Sequence, residues 1–182
     1  MSKKNIGIVV GSLRKNSFNK AIANYVSSII PSNYDVKFID ISNVEFFNED
    51  LESNPPASWT RLREEVKASD SFLFFTPEYN RSFPAVLKNA LDVASRPYGQ
   101  SVWAGKPAGV ISVSMGAIAG FGANHHLRQV LTFLDVYPLQ QPEAYIGNVM
   151  SLLDEAGNLA NEDTKKFLQF YVDAFLNWSN KF

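Results

Sequence analysis

The sequence predicts an α/β fold, a parallel sheet with helices on both faces. Two observations lead there. Strand-like and helix-like segments alternate from one end to the other, the signature of βαβ units. The strand-like segments are also continuous apolar runs, as expected of strands buried on both faces. The chain has 182 residues, 46% of them hydrophobic. That is the size of one α/β domain with a single core, expected here to span residues 1–182.

The elements follow in order. Ile6–Val10 is a β-branched run and the first strand. Phe18, Ile22, Tyr25, Val26 and Ile29 recur at helical spacing. The segment from Val36 to Ile41 forms the second strand. A long irregular stretch, Ser42–Ser58, contains Asn54-Pro55-Pro56, and Ser58 is a suitable N-cap for a helix carrying Trp59, Leu62 and Val66. Ser71–Thr76 is the third strand, and a helix from Pro84 to Ala94 places Leu87, Ala90, Leu91 and Ala94 on one face. Ala108–Val113 is the fourth strand, and Leu127, Val130, Leu131 and Leu134 mark the next helix. Val136–Leu139 is a short fifth strand, continued near Tyr145-Ile146. Glu162 to Asn180 is the last helix. Five parallel strands favour the flavodoxin-like order 2-1-3-4-5, a three-layer sandwich whose ligands bind beyond the carboxyl ends of the strands.

Composition narrows the chemistry. A net charge of −1, from 17 basic and 18 acidic residues, gives no footing for nucleic acid or an anionic membrane surface. The absence of cysteine removes disulfides, thiol catalysis, Fe–S clusters and thiolate zinc sites. The only histidines, His125 and His126, are adjacent and lack a carboxylate pattern, so no metal site is expected. Redox chemistry therefore calls for an organic cofactor. The basic start Met1-Ser2-Lys3-Lys4 is followed by an apolar run too short for a signal sequence, and no stretch is long enough to span a bilayer. A cytoplasmic protein is expected.

The loops after strands one, three and four carry the functional signal. Loop one, Gly11 to Asn19, lacks both the dinucleotide fingerprint and the P-loop pattern. It offers the hydroxyls of Ser12 and Ser17, the amide of Asn19, the cations Arg14 and Lys15, and a helix N-terminus. Such a donor set suits a phosphate monoester, although Ser17 equally suits a simple helix cap. Loop two, Thr76 to Pro84, sets Glu78 directly after a buried strand, with Tyr79 and Asn80 behind it. A planar heterocycle would use main-chain groups of this loop at its edge and Tyr79 on its face. The competing reading is a rigid connection in which Ser82 caps the helix. Loop three, Ser114 to Ala123, is rich in glycine, which permits either close backbone approach or mere flexibility. Together the loops point to one shared ligand.

These residues carry a resemblance. Gly11-Ser12-Leu13-Arg14-x-x-Ser17-x-Asn19, then Thr76-Pro77-Glu78-Tyr79-Asn80-x-Ser82-x-Pro84 continuing to Leu87-Lys88-Asn89-Ala90-x-Asp92, and Ser114-x-Gly116 leading to Leu127-Arg128 resemble the NAD(P)H-dependent FMN reductases. That flavodoxin-like group includes chromate, quinone and azo-dye reductases. Asn48-Glu49-Asp50-Leu51-Glu52 before Pro55-Pro56 also looks familial, and the likeness covers nearly the whole chain.

The resemblance implies FMN as cofactor and NADPH or NADH as co-substrate. Quinones, azo compounds, metal oxyanions or free flavin would be reduced in a two-step hydride exchange, with no catalytic side chain. It places Ser12, Arg14, Ser17 and Asn19 around the FMN phosphate. Pro77, Glu78, Tyr79, Asn80 and Ser82 would lie along the ring, with Ser114 and Gly116 on its other side. It also implies a homodimer or homotetramer. The alternatives are an electron carrier of flavodoxin type and a flavin-bound interaction protein, the former disfavoured by Arg14, Lys15 and the near-neutral charge. The chain departs from the family at Ala85 and Val93, and at Gly122, where the family favours arginine.

Overall fold

In the computed structural model, which describes residues 3–182, the chain builds six strands and five α-helices. Met1 and Ser2 of the basic N-terminal segment lie outside the described residues. In order these are β1 (Lys4–Val10), α1 (Phe18–Ile29), β2 (Tyr34–Ile39), α2 (Ala57–Lys67), β3 (Ser71–Thr76), α3 (Ala85–Ala94), β4 (Pro107–Val113), α4 (Phe121–Phe133), β5 (Tyr137–Pro138), β6 (Ala144–Ile146) and α5 (Glu162–Ser179).

The sheet runs β2-β1-β3-β4-β5, every pair parallel, and β6 pairs with β4. The expected order is therefore present, but the fifth position is split. Pro107 and Ala108 pair with β5, whereas Ile111 to Val113 pair with β6. Pro138 has no N–H to extend a ladder, and the chain leaves the sheet before returning at Ala144. Tyr145-Ile146 is thus a separate sixth strand rather than a continuation.

Every residue of β3 and β4 is buried, which is why both read as unbroken apolar runs. Side-chain alternation divides them between two cores. Leu73, Phe75, Ile111 and Val113 face Ile22 and Val26 of α1 and Val172 and Phe175 of α5. Phe72, Phe74 and Val110 face Leu62 of α2, Leu87 and Leu91 of α3, Leu127 of α4, and Trp103. At roughly 25 cal/mol per Å² of buried apolar area, these two layers dominate the driving force for folding.

Several boundaries differ from the sequence reading. The second strand spans Tyr34–Ile39 instead of ending at Ile41, because Asp40 turns away with its carboxylate accepting from the Ser42 N–H and hydroxyl. Ser58 does not cap α2. Pro56 occupies that position, the helix starts at Ala57, and the Ser58 hydroxyl donates to the Glu45 carboxylate. Proline suits a helix entrance because it has no N–H to satisfy. Helix α4 begins at Phe121, a turn and a half before the first apolar repeat at Leu127, because Gly120 in the left-handed region (φ +73°) launches it.

Candidate functional site

The register of the sheet sets the site. Val10 pairs with Phe75, and Thr76 with Ser112, so β1, β3 and β4 end side by side and their three loops leave from one rim. Contacts then lock the loops together. The Gly11 N–H donates to Phe75 O at 2.8 Å. Asn19, buried at the start of α1, donates through Nδ2 to Val113 O at 3.4 Å, joining loop one to the end of β4.

Loop one wraps the N-terminus of α1. Ser17 is its N-cap, accepting from the Lys20 N–H at 3.2 Å. The helix-cap reading of Ser17 is the one observed, and the cap leaves free N–H groups at the first turn of the helix. Arg14 is exposed with its guanidinium 5.4 Å from the Phe18 ring centroid, a stacking that holds the charge at the rim.

Loop two is a tight turn. Tyr79 and Ser82 exchange main-chain hydrogen bonds at 2.8 and 3.0 Å. The two residues between them, Asn80 (φ +49°) and Arg81 (φ +66°), are left-handed, the pattern of a type I′ turn. Arginine in that region is strained by roughly 1–2 kcal/mol. The strain is held by an ion pair from Arg81 Nη1 to Glu78 Oε1 at 2.8 Å. Glu78 Oε2 accepts from the Ala123 N–H at 3.0 Å, so this carboxylate satisfies the N-terminus of α4 from a neighbouring loop. Burial opposes the charge on Glu78, but the Ala123 N–H, Arg81 and the Gly122 N–H together hold its carboxyl below the ordinary value. A side chain at Gly122 would be tight, since a Cβ would lie 3.0 Å from both Arg81 O and Glu78 Oε2.

Ser82 does not cap α3. Pro84 stands at that cap and the Ser82 hydroxyl meets His126 Nδ1 at 3.1 Å. Nor is loop three a flexible tether. The Ser112 hydroxyl donates to Ala119 O at 2.7 Å, the Ala119 N–H donates to Gly116 O, and the Ser114 N–H donates to Ile146 O. The Gly116 N–H is used on Ser114 Oγ. Among the described residues, the N–H groups of Asn80 and Ala117 are among those without a protein acceptor, so loops two and three each keep main-chain donors for a ligand.

The sequence named these loops but missed what braces them. Asn89 of α3 accepts from the Phe47 N–H at 2.8 Å and donates to Val44 O and Glu45 O, both at 3.1 Å. Arg96 adds ion pairs to Glu49 and Glu52. The long segment after β2 is therefore a fixed wall. The length of that segment was the one visible signal; its partners lie some 40 residues away in the chain.

Well-formed hollows flank the rim. A groove of about 610 Å³ runs between α1 and residues 153–159, touching Lys15, Asn16 and Ser17. A cleft of about 300 Å³ lies between loop one and the end of β2. Another of about 460 Å³ separates α3 from α4 and includes Ser82 and His126. None of these is lined by all three loops, so their convergence is one of direct contact along the rim.

A doubly covered parallel sheet of order 2-1-3-4-5 defines a protein of flavodoxin-like architecture. The comparisons sharpen this. Residues 4–151 match the family described as NADPH-dependent FMN reductase. A quinone reductase of Pseudomonas putida is 54% identical over 174 residues, covering 95% of this chain and 93% of that one. A 2-hydroxy-1,4-benzoquinone reductase of a Burkholderia species is 46% identical over 173 residues, covering 95% and 94%. The flavoenzyme NAD(P)H:(acceptor) oxidoreductase FerB of Paracoccus denitrificans superposes with a TM-score of 0.92 at 39% identity, covering 98% of both chains. The chain belongs to the NADPH-dependent FMN reductase family. It is an oxidoreductase with FMN as cofactor and NAD(P)H as co-substrate.

The residues present fit that cofactor. Asn19 Oδ1 is buried without a partner, an acceptor suited to a ligand hydroxyl. A Cβ at Gly116 would meet only Ser114 Oγ, at 3.8 Å, so the ledge of loop three is open to close approach. Arg14 makes no ion pair among the described residues, which leaves its charge for a phosphate.

Proposed function

We propose that this chain is an FMN-dependent NAD(P)H:quinone oxidoreductase. The observation that carries the reading is the locked rim, in which Asn19 ties loop one to β4 and Glu78 ties loop two to α4. FMN, when bound, would supply the hydride-transfer chemistry that links NAD(P)H to the acceptor. The chain's own groups bind and orient. Ser12, Arg14, Ser17 and Asn19 hold the phosphate through hydroxyl, guanidinium and amide donors and the first turn of α1. Pro77, Glu78, Tyr79, Asn80 and Ser82 would border the ring, with Ser114 and Gly116 approaching it from loop three. The free N–H groups of loops two and three, those of Asn80 and Ala117 among them, would stabilise negative charge at the ring edge. Tyr79 is half-exposed and is positioned to cover a flat ligand at the open face, where NAD(P)H and quinone bind in turn.

Quinones are the proposed acceptors because the relatives carry quinone in their names. Azo compounds, metal oxyanions and free flavin are further acceptors that an open rim admits. The reading extends to a cytoplasmic homodimer or homotetramer. Met115, Ile118, Phe121 and Met150, each at least half exposed near loop three, supply apolar surface for it. No helix among the described residues is long and apolar enough to cross a membrane.

The test is steady-state oxidation of NADPH or NADH by FMN-loaded protein with a benzoquinone. Turnover is the expected result, and FMN binding without turnover on any acceptor would point to an electron carrier. Arg14→Ala is expected to weaken FMN binding by about 1.5–3 kcal/mol through loss of a charge-assisted contact, read by flavin fluorescence titration. Unchanged affinity would remove Arg14 from the cradle.

A further inference from the structure

The cleft of about 300 Å³ on the outer side of loop one is distinct from the rim between the loops. It is lined by Ser12, Arg14, Lys15 and Lys20 on one wall, and by Phe38 and Asp40 at the end of β2 on the other. Three cations therefore face one carboxylate. None of the three forms an ion pair among the described residues. Asp40 offsets only part of this charge: its Oδ1 accepts from the Ser42 N–H at 2.9 Å and the Ser42 hydroxyl at 2.7 Å, and these bonds with the nearby Arg61 and Lys20 hold its carboxyl below the ordinary value. Lys20 Nζ sits 4.8 Å from the centroid of the half-buried Phe38 ring, which fixes the ammonium at the cleft and gives it an aromatic floor.

A cleft of this size with three cations against one carboxylate calls for a compact, multiply charged anion on a small organic body. Ser12 and Arg14 border both this cleft and the rim, so its occupant shares a loop with the FMN phosphate. A second dianion can sit so near the first only if it brings separate cations into play, and Lys15 and Lys20 are those cations. The co-substrate carries such a group at one end. We propose that this cleft binds the adenosine 2′-phosphate of NADPH, with Lys20 and Lys15 as the residues that make the enzyme prefer NADPH to NADH. The proposal rests on the NAD(P)H-dependent reading above. NADH presents only a hydroxyl at that position, and a neutral hydroxyl gains much less from an ammonium group than a phosphate does.

The experiment uses FMN-loaded protein and two readouts. In calorimetry, adenosine 2′,5′-bisphosphate is expected to bind about tenfold tighter than adenosine 5′-monophosphate, and Lys20→Gln is expected to erase most of that difference while Lys20→Arg retains it. In steady-state kinetics, Lys20→Gln is expected to raise KM for NADPH about tenfold, with kcat and KM for NADH moving less than twofold. Equal binding of the two nucleotides overturns the proposal, as does an equal rise in KM for both co-substrates. If Lys20→Gln fails to fold by circular dichroism, Lys15→Gln takes its place in both measurements. If the protein oxidises neither co-substrate, the reductase reading fails on its own, and the two nucleotides still decide the cleft.

Discussion

Glu78 joins two loops through three donors and accounts for much of the rim's rigidity. Its carboxylate is almost fully buried, bonded to Arg81 on its own turn and to the start of α4 on the next loop. A glutamate after a buried strand was conspicuous in the sequence, but its partners were not, because the Ala123 N–H lies 45 residues away. Glu78→Gln keeps an acceptor and removes the charge, so it is expected to cost about 1–2 kcal/mol and to shift the visible spectrum of bound FMN. The folded protein holds this carboxyl below its ordinary value of 4.5. Its contribution is therefore complete above about pH 4.5 and is lost as pH falls through the lower, folded-state value. Urea unfolding at a series of pH values should show the gap between wild type and Glu78→Gln narrowing below that point. A gap that stays constant into acid would mean that the charge of Glu78 contributes nothing to folding.

Among the elements, α3 has a role that its apolar face did not advertise. Leu87, Ala90, Leu91 and Ala94 pack inward as their spacing required. Asn89, buried on the same helix, uses its whole amide to hold the segment after β2. Asn89→Ala leaves the Phe47 N–H and Val44 O without a partner, while Glu45 O keeps the Trp59 indole N–H, and is expected to destabilise the protein by about 2–4 kcal/mol. The same variant should speed proteolytic cleavage within residues 42–56, since local opening becomes easier. Unaltered cleavage there would show that Arg96 and its two glutamates hold the wall without help. Helix α4 shows the same limit from the other side. Its apolar repeat was legible from Leu127 onward, yet its start depends on the left-handed Gly120 and on a carboxylate from another loop, neither of which leaves a period in the sequence.

At the scale of the whole molecule, the two cores meet through a sheet that must stay thin where α5 crosses it. Gly109 in β4 provides that thinness. A Cβ there would come within 2.8 Å of both Leu73 Cδ2 and Tyr171 Oη. Tyr171 is fully buried with its hydroxyl donating to Val110 O at 3.2 Å, and burial pushes its ionisation well above the ordinary range. Gly109→Ala is therefore expected to cost about 1–3 kcal/mol by overpacking, measured as a fall in Tm with the far-ultraviolet spectrum retained. A variant as stable as wild type would show that α5 can shift outward without loss.

The order of strands and helices, the doubly buried character of β3 and β4, and the identity of the three rim loops were determined by the sequence alone. Apolar period and run length are local quantities, and the motifs lie within single stretches of chain. The split of the edge between β5 and β6, the cap at Pro56, the turn held by Glu78 and Arg81, the strap of Asn89 and the cationic cleft beside β2 were decided only by the tertiary structure. Each depends on a pairing between residues distant in sequence or on a left-handed backbone that no side-chain pattern encodes. Such contacts have no energy until the sheet has brought their partners within hydrogen-bonding reach.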